Sequence, residues 1–107
     1  MQQLIKEFME KNKLPIAKFP RNPENNIRQR LIAELQENLR KLIAAINKQD
    51  VLIVAQLAGD LTYKLYGLAN LYGISMDAVI KGIHESKMYK KEIDINEVLF
   101  GHRHDNE

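Results

Sequence analysis

The sequence contains no cysteine among its 107 residues. Disulfide bonds and thiolate metal sites are therefore excluded, although this absence does not identify a cellular compartment. A Gly-rich phosphate loop, an internal repeat and a low-complexity segment are also missing. The length suits a single domain that folds around its own core without covalent or metal staples.

Neither sign of charge is in large excess, because 16 Lys and Arg face 14 Asp and Glu for a formal net charge of +2. Nucleic-acid binding favours a clustered basic surplus, so DNA and RNA are not expected partners. The first residues are interrupted by charges, and no apolar run approaches 18 residues. Neither an export signal nor a membrane span is predicted, and a cytoplasmic location is the expectation.

The most apolar stretch runs from Asp50 to Gly73. Apolar residues lie on nearly every side of it at helical spacing, which predicts a buried α-helix with Asp50 as N-cap and Gly73 as its stop. One acid, Asp60, lies in its middle. One face repeats at three- and four-residue steps through Leu57, Leu61, Leu65, Leu68 and Tyr72.

Three further helices are predicted, over residues 2–12, 24–47 and 76–88. Prolines interrupt residues 13–22, and Asn22 with Pro23 is the candidate start of the second helix. Ser75 is the candidate N-cap of the fourth. The chain is therefore predicted to form one all-α domain over residues 1–107, with an irregular tail over 92–107 whose His102 and His104 are solvated.

The second helix has a wide apolar face, formed by Ile27, Leu31, Ile32, Leu35, Leu39, Leu42, Ile43 and Ile46. Glu34 and Glu37 lie near its edge, with Arg30 and Lys41 at helical neighbour spacing. One interpretation is a solvated face with intrahelical ion pairs. The other joins these acids to Asp60 on the facing helix, because a carboxylate among apolar residues needs a partner and Mg²⁺ prefers oxygen ligands.

Four segments in order resemble the MazG-like, all-α nucleoside triphosphate pyrophosphohydrolases over residues from about 4 to 91. IKEFMEKNKLPIAKFP is similar to the family's first helix and Pro-containing connector, and Glu34 and Glu37 form an E-x-x-E motif. DLTYKLYGLA is similar to its D-x-x-Y-x-x-Y-G-x-A segment. HESKMYK resembles its H-x-S-N-M-x-K signature. The resemblance implies a four-helix bundle completed by oligomerisation.

The resemblance also implies a reaction, the hydrolysis of a nucleoside triphosphate to monophosphate and pyrophosphate with Mg²⁺ or Mn²⁺. Carried over by position, Glu34, Glu37 and Asp60 are metal ligands and catalytic residues. Lys90 is a phosphate-binding residue, and Lys87 lies where the family has a nucleotide-contacting asparagine.

Two departures affect this transfer. Leu57 occupies the position of the glutamate in the family's second acidic motif, E-x-x-D, and Gln56 takes that position if Gly59 is an inserted residue. Gln56 shares the flank of Asp60 and offers a neutral oxygen to a metal. Lys87 replaces the family's asparagine.

Three functional interpretations follow. The first is a pyrophosphohydrolase acting on a non-standard or deoxyribonucleoside triphosphate in nucleotide-pool cleaning. The second is a relative with weakened or lost catalysis that serves as a nucleotide-binding or oligomeric interaction protein. The third is a helical module without a nucleotide. Because the central helix has more apolar sides than its neighbours can cover, a homodimer or homotetramer is expected.

Overall fold

The computed structural model describes residues 1–101, and within them the chain forms five α-helices and no strand. The all-α prediction is confirmed. In chain order the helices are α1 (Gln2–Lys11), α2 (Asn25–Asn47), α3 (Val51–Tyr72), α4 (Met76–Tyr89) and α5 (Ile95–Phe100).

The capping residues of α3 and α4 confirm the sequence prediction. The Asp50 carboxylate accepts a hydrogen bond from the backbone N–H of Ile53 at 3.2 Å, and the Ser75 hydroxyl accepts one from Ala78 at 3.3 Å. Gly73 ends α3 with a φ of 72°, in the left-handed region. A Cβ there would also collide with the backbone of Phe19, so this turn requires glycine.

The predicted start of α2 was wrong. The N-cap is Glu24, whose φ of −61° and ψ of 154° are extended, and it makes no side-chain capping bond. The Arg28 guanidinium donates a hydrogen bond to the carbonyl oxygen of Pro23 at 2.5 Å. This bond satisfies the Pro23 carbonyl from within α2. Because the N-cap is Glu24, Pro23 lies before the helix and Asn22 is not its N-cap.

The tail from residue 92 is not irregular throughout, because α5 lies within it. The Asp94 side chain accepts a hydrogen bond from the backbone N–H of Glu97 at 3.1 Å and so caps this short helix. His102 and His104, expected to be solvated, lie outside the described residues.

The main packing contacts join α2 to α3, α1 to α3, and α5 to α4. Ile5 and Met9 are the buried residues of α1, and Ile5 reaches α3 at Gly67. The radius of gyration is 16.0 Å, against about 13 Å for a compact domain of this length. The single chain is therefore elongated.

One chain leaves part of α3 uncovered, as its number of apolar sides predicts. Val51 is 75% and Leu52 78% exposed, because α1 and α2 cover only part of the helix. On α2, Leu39, Ile43 and Ile46 are also exposed, whereas Asn38 and Ala45 are buried. Only the inner part of each predicted apolar face is covered.

Gln2 ties the start of the chain to the junction of α3 and α4. Its side-chain amide donates to Asn70 Oδ1 at 2.9 Å and to the carbonyl oxygen of Ile74 at 2.7 Å. Its side-chain oxygen accepts from the backbone N–H of Met76 at 2.9 Å. Gln2 thereby satisfies one of the unpaired N–H groups at the start of α4.

Candidate functional site

The pairing of α2 with α3 determines which of the candidate acids can meet. The two helices are joined by a short turn and form an antiparallel hairpin. Because the turn is centred near residue 49, residues equally far from it along α2 and α3 lie at about the same level. Lys64 on α3 reaches about one helical turn along the hairpin and donates a hydrogen bond from Nζ to Asn38 Oδ1 on α2 at 2.5 Å.

This register places Glu34 level with Lys64 and Asp60 level with Asn38. Glu34 and Asp60 are therefore about one helical turn apart along the axis, roughly 6 Å. Glu34 lines the cavity described below, whereas Asp60 does not.

Glu37 is held in an ion pair within α2. Its carboxylate accepts from Arg40 Nη2 at 2.6 Å and from Arg40 Nε at 3.0 Å, and Lys41 Nζ lies 3.8 Å away. The Arg40 hydrogen bonds hold the pKa of Glu37 below its ordinary value of 4.5. The solvated interpretation with intrahelical ion pairs is thus met at Glu37, where Lys41 is a partner as expected and Arg40 is the nearer one.

Asp60 is exposed, so its predicted burial among apolar side chains was wrong. Glu34 is exposed as well, although it lines a cavity described below. Within residues 1–101, no group of three or more His, Cys, Asp or Glu side chains is arranged to hold a metal ion. The three-carboxylate set is therefore not assembled within one chain, and the metal itself stays a prediction.

Gln56 and Leu57 line a groove near the α2–α3 turn. Gln56 is exposed on the same flank as Asp60, four residues away, and Leu57 is half-buried. The groove is also lined by three cations, Arg40, Lys41 and Lys48, and by one carboxylate, Asp50. Leu57 thus belongs to the packing between α2 and α3, and Gln56 does not.

Lys87 and Lys90 lie at the end of α4, and both are exposed. Lys90 ends the helix in a left-handed conformation with a φ of 52°. In the described part of the chain, no hydrogen bond or ion pair connects either lysine to Glu34, Glu37 or Asp60. His84 is also exposed on α4.

A cavity of about 360 Å³ lies between α1, its connector to α2, α2 and α3. Its walls are mainly apolar, with Phe8 and Tyr63 in an edge-on arrangement at a centroid distance of 6.1 Å. Three charged side chains also line it: Arg30, Glu34 and Lys64. The apolar lining residues are Ile5, Phe8, Met9, Leu14, Pro15, Ile27, Leu31, Gly67, Leu68 and Leu71, with Tyr63 beside them.

Sequence reasoning missed Asn38 and Lys64. Leu31, Leu35, Asn38, Leu42 and Ala45 follow alternating four- and three-residue steps on α2, as do Leu57, Leu61, Lys64, Leu68 and Leu71 on α3. These steps are typical of the contact positions between two packed helices. One polar residue in each otherwise apolar row was the signal that could have located the pair.

The fold and the acid-bearing helical hairpin are those of an all-α pyrophosphohydrolase. The chain belongs to the phosphoribosyl-ATP pyrophosphohydrolase family, whose model matches residues 5–87. This family is part of the MazG-like all-α superfamily, so the predicted resemblance is confirmed at that level, while the MazG family itself is not. Membership implies a pyrophosphohydrolase-type activity.

None of the curated proteins compared matches the sequence. No helix within residues 1–101 combines the length and apolar character needed to cross a membrane.

Proposed function

We propose that the protein hydrolyses a nucleoside triphosphate between its α- and β-phosphates, releasing the monophosphate and pyrophosphate. The observation that supports this proposal is the cavity between α1, α2 and α3, in a chain whose family is defined by pyrophosphate release. Phosphoribosyl-ATP is the other substrate that the family description suggests. Removal of non-standard or deoxyribonucleoside triphosphates from the cytoplasmic pool is the proposed role.

The cavity suits a nucleotide in size and chemistry. Ligand cavities have volumes of roughly 300 to 1,000 Å³ and combine apolar walls with a few polar groups. Phe8 and Tyr63 provide an aromatic wall for a base, and aromatic rings favour edge-on or offset contacts. Arg30 and Lys64 provide positive charge for phosphate groups.

We propose Mg²⁺ as the cofactor, with Mn²⁺ as a substitute. Mg²⁺ is usually held by one or two carboxylates together with substrate phosphates and water, so a preformed three-carboxylate cage is not required. Glu34 at the cavity is the first candidate ligand, and Asp60, Glu37 and the neutral oxygen of Gln56 are the others. When bound, the metal neutralises phosphate charge and activates water.

The residues of the chain have separate tasks in this proposal. The cavity walls exclude water from the base, which strengthens the charged contacts at its edge. Glu34, at that edge, is placed to accept a proton from an attacking water. Lys90, with Lys87, is proposed to bind phosphate once a nucleotide or a second chain brings α4 to the site.

A second copy of the chain is the proposed partner. The uncovered sides of α2 and α3 carry Leu39, Ile43, Ile46, Val51 and Leu52, all of them exposed in the single chain. Burying apolar surface contributes about 25 cal/mol per Å², so a matching face on a second chain stabilises a homodimer or homotetramer. Sedimentation analysis at micromolar concentration that finds only monomer would contradict this proposal.

A catalytically weakened nucleotide-binding or interaction protein is the second candidate. It is favoured by Leu57, which is half-buried where the resemblance expects an acid, and by the exposure of Glu34, Glu37 and Asp60, which are not gathered into a metal site within residues 1–101. Nucleotide binding without turnover is its signature.

Pyrophosphate release from a panel of nucleoside triphosphates and phosphoribosyl-ATP, with and without Mg²⁺, tests the function. We expect metal-dependent turnover that Glu34→Gln and Asp60→Asn abolish while their melting temperatures stay close to that of the unmodified chain. Glu10→Gln, which changes an exposed acid on α1 away from the cavity, is the matched control and should keep full activity. Absence of turnover with every substrate would overturn the proposal.

A further inference from the structure

Lys64 is the charged residue that the structure holds most firmly at the cavity wall. It is half-buried, and its Nζ lies 2.5 Å from the side-chain oxygen of Asn38. Asn38 is only 8% exposed and occupies a contact position between α2 and α3. The ammonium group is therefore fixed at the centre of the helical hairpin and not free on its surface.

A polar pair at this place is costly unless it is hydrogen-bonded, and apolar residues would pack there without that requirement. The pair satisfies itself only in part. An ammonium group has three donors, and the one hydrogen bond that Lys64 makes within residues 1–101 goes to Asn38. Two donors are thus available for another acceptor.

Lys64 also differs from its neighbours in charge pairing. Arg40 and Lys41 are paired with Glu37, whereas Lys64 forms no ion pair in the described part of the chain. The charged lining of the cavity consists of two cations, Arg30 and Lys64, and one carboxylate, Glu34, which leaves a formal charge of +1. An apolar cavity with this excess is complementary to a ligand that combines an apolar end with an anion.

We propose that Lys64, positioned by Asn38, binds a phosphate group of the nucleotide without needing a divalent metal. This inference rests on the proposed function, because it assumes a nucleotide ligand for the cavity. It gives the site a permanent positive charge at the cavity wall, which Glu34 also lines. Lys64 is a binding residue here, and Asn38 is a positioning residue that acts through it.

Calorimetric titration of the whole chain with ATP in the presence of EDTA tests this proposal, with inorganic pyrophosphate as a second probe. We expect the unmodified chain to bind ATP without metal, and Lys64→Met to weaken binding about tenfold or more through loss of a charge-assisted hydrogen bond. Lys64→Arg should retain part of the affinity. Lys48→Met removes a charge near the α2–α3 turn, outside the cavity, and should bind as the unmodified chain does.

Asn38→Leu separates positioning from packing. The variant removes the hydrogen-bond acceptor of the Lys64 ammonium group and places an apolar residue at the helix contact. Affinity for ATP should therefore fall even if the melting temperature rises. Lys64→Gln provides a second charge-removing variant if Lys64→Met fails to fold. A structural role alone would change melting temperatures and leave ATP affinity unmoved.

The outcomes separate this inference from the proposed function. Unchanged metal-free ATP affinity in Lys64→Met, or no ATP binding by the unmodified chain in EDTA, overturns the inference, and turnover with Mg²⁺ then still supports the function. Lys64-dependent ATP binding without turnover of any substrate supports the inference and overturns the function.

Discussion

The carboxamides of Gln2 and Asn70 are hydrogen-bonded at 2.9 Å across 68 residues of sequence. Asn70 is 5% exposed, and its amide also donates to the backbone oxygen of Gln2 at 3.3 Å. This pair attaches α1 to the end of α3, and through it the first helix forms one wall of the cavity.

Truncation of Asn70 should therefore destabilise the fold. Asn70→Ala removes a buried side chain and its two hydrogen bonds with the half-buried Gln2, and we expect a loss of about 1 to 3 kcal/mol in the free energy of unfolding. Urea denaturation measures it. Gln3→Ala, at the exposed neighbouring glutamine, is the control and should change stability by less than about 0.5 kcal/mol. Equal effects of the two variants would show that the buried bond contributes nothing.

Alanine at Gly59, within α3, and alanine at Gly73, which ends α3, should change the stability of the fold in opposite directions. Gly73 has a positive φ and no room for a Cβ beside Phe19, so Gly73→Ala should cost about 1 kcal/mol or more. Gly59 lies inside α3 with open space around it, so Gly59→Ala should stabilise by about 0.5 to 1 kcal/mol through helix propensity. Thermal melts of both variants measure the difference. A destabilising Gly59→Ala would indicate that a second chain packs closely there.

An acid introduced at position 56 should be tolerated, and one at position 57 should not. Gln56→Glu places its carboxylate at an exposed position beside a groove lined by Arg40, Lys41 and Lys48, so we expect unchanged or higher stability and stronger metal-dependent turnover. Leu57→Glu places a charge between α2 and α3 and should cost about 2 kcal/mol or more. Melting temperatures and pyrophosphate release measure the pair. Greater turnover in Leu57→Glu than in Gln56→Glu would instead support the gapless alignment of this motif.

The Glu37–Arg40 pair should give a small pH dependence on the acid side. Because the folded-state pKa of Glu37 is below its ordinary value, its stabilising effect is present above about 4.5 and is lost as the pH falls through the lower folded value. Arg40→Gln should return the pKa of Glu37 towards 4.5, as measured by NMR titration of the carboxyl group. An unshifted Glu37 in the unmodified chain would show that the pair is not formed in solution.

The helices and their ends could be predicted from sequence where the signals are local. Asp50 and Ser75 cap through backbone groups three residues on, and Gly73 ends α3 through its own left-handed backbone, so these roles could be predicted locally, although the contact of Gly73 with Phe19 could not. The start of α2 was placed too early because Asn22 and Pro23 have the residue types of a helix start, whereas the N-cap is Glu24, which makes no side-chain capping bond. The cap of α5 by Asp94 is local, and it was missed because the helix is so short.

Sequence predicted which residues belong to the candidate site, but not how they are arranged. Glu34, Glu37 and Asp60 were located on facing helices, but the apolar pattern does not show how far each acid turns away from the partner helix, and all three are exposed. The contact face of α3 was predicted from its apolar residues alone, which excludes polar residues such as Lys64. The predicted face therefore ran through Leu65, whereas the half-buried residue at that place is Lys64. The exposed parts of both apolar faces could not be separated from the buried parts without knowing which neighbours are present.

Because α4 packs chiefly against α5, the amides of the α4–α5 pair and those of α3 should differ in their protection against hydrogen exchange. The amides of α3 lie between α1 and α2, whereas the α4–α5 pair joins the rest at Gly73 and through the bond from Met76 to Gln2. Regions with few buried contacts open at a lower free energy than the whole domain. The α4–α5 pair can therefore exchange its amides while the cavity stays closed, and the slowest exchange should lie in the row of α3 residues around Lys64.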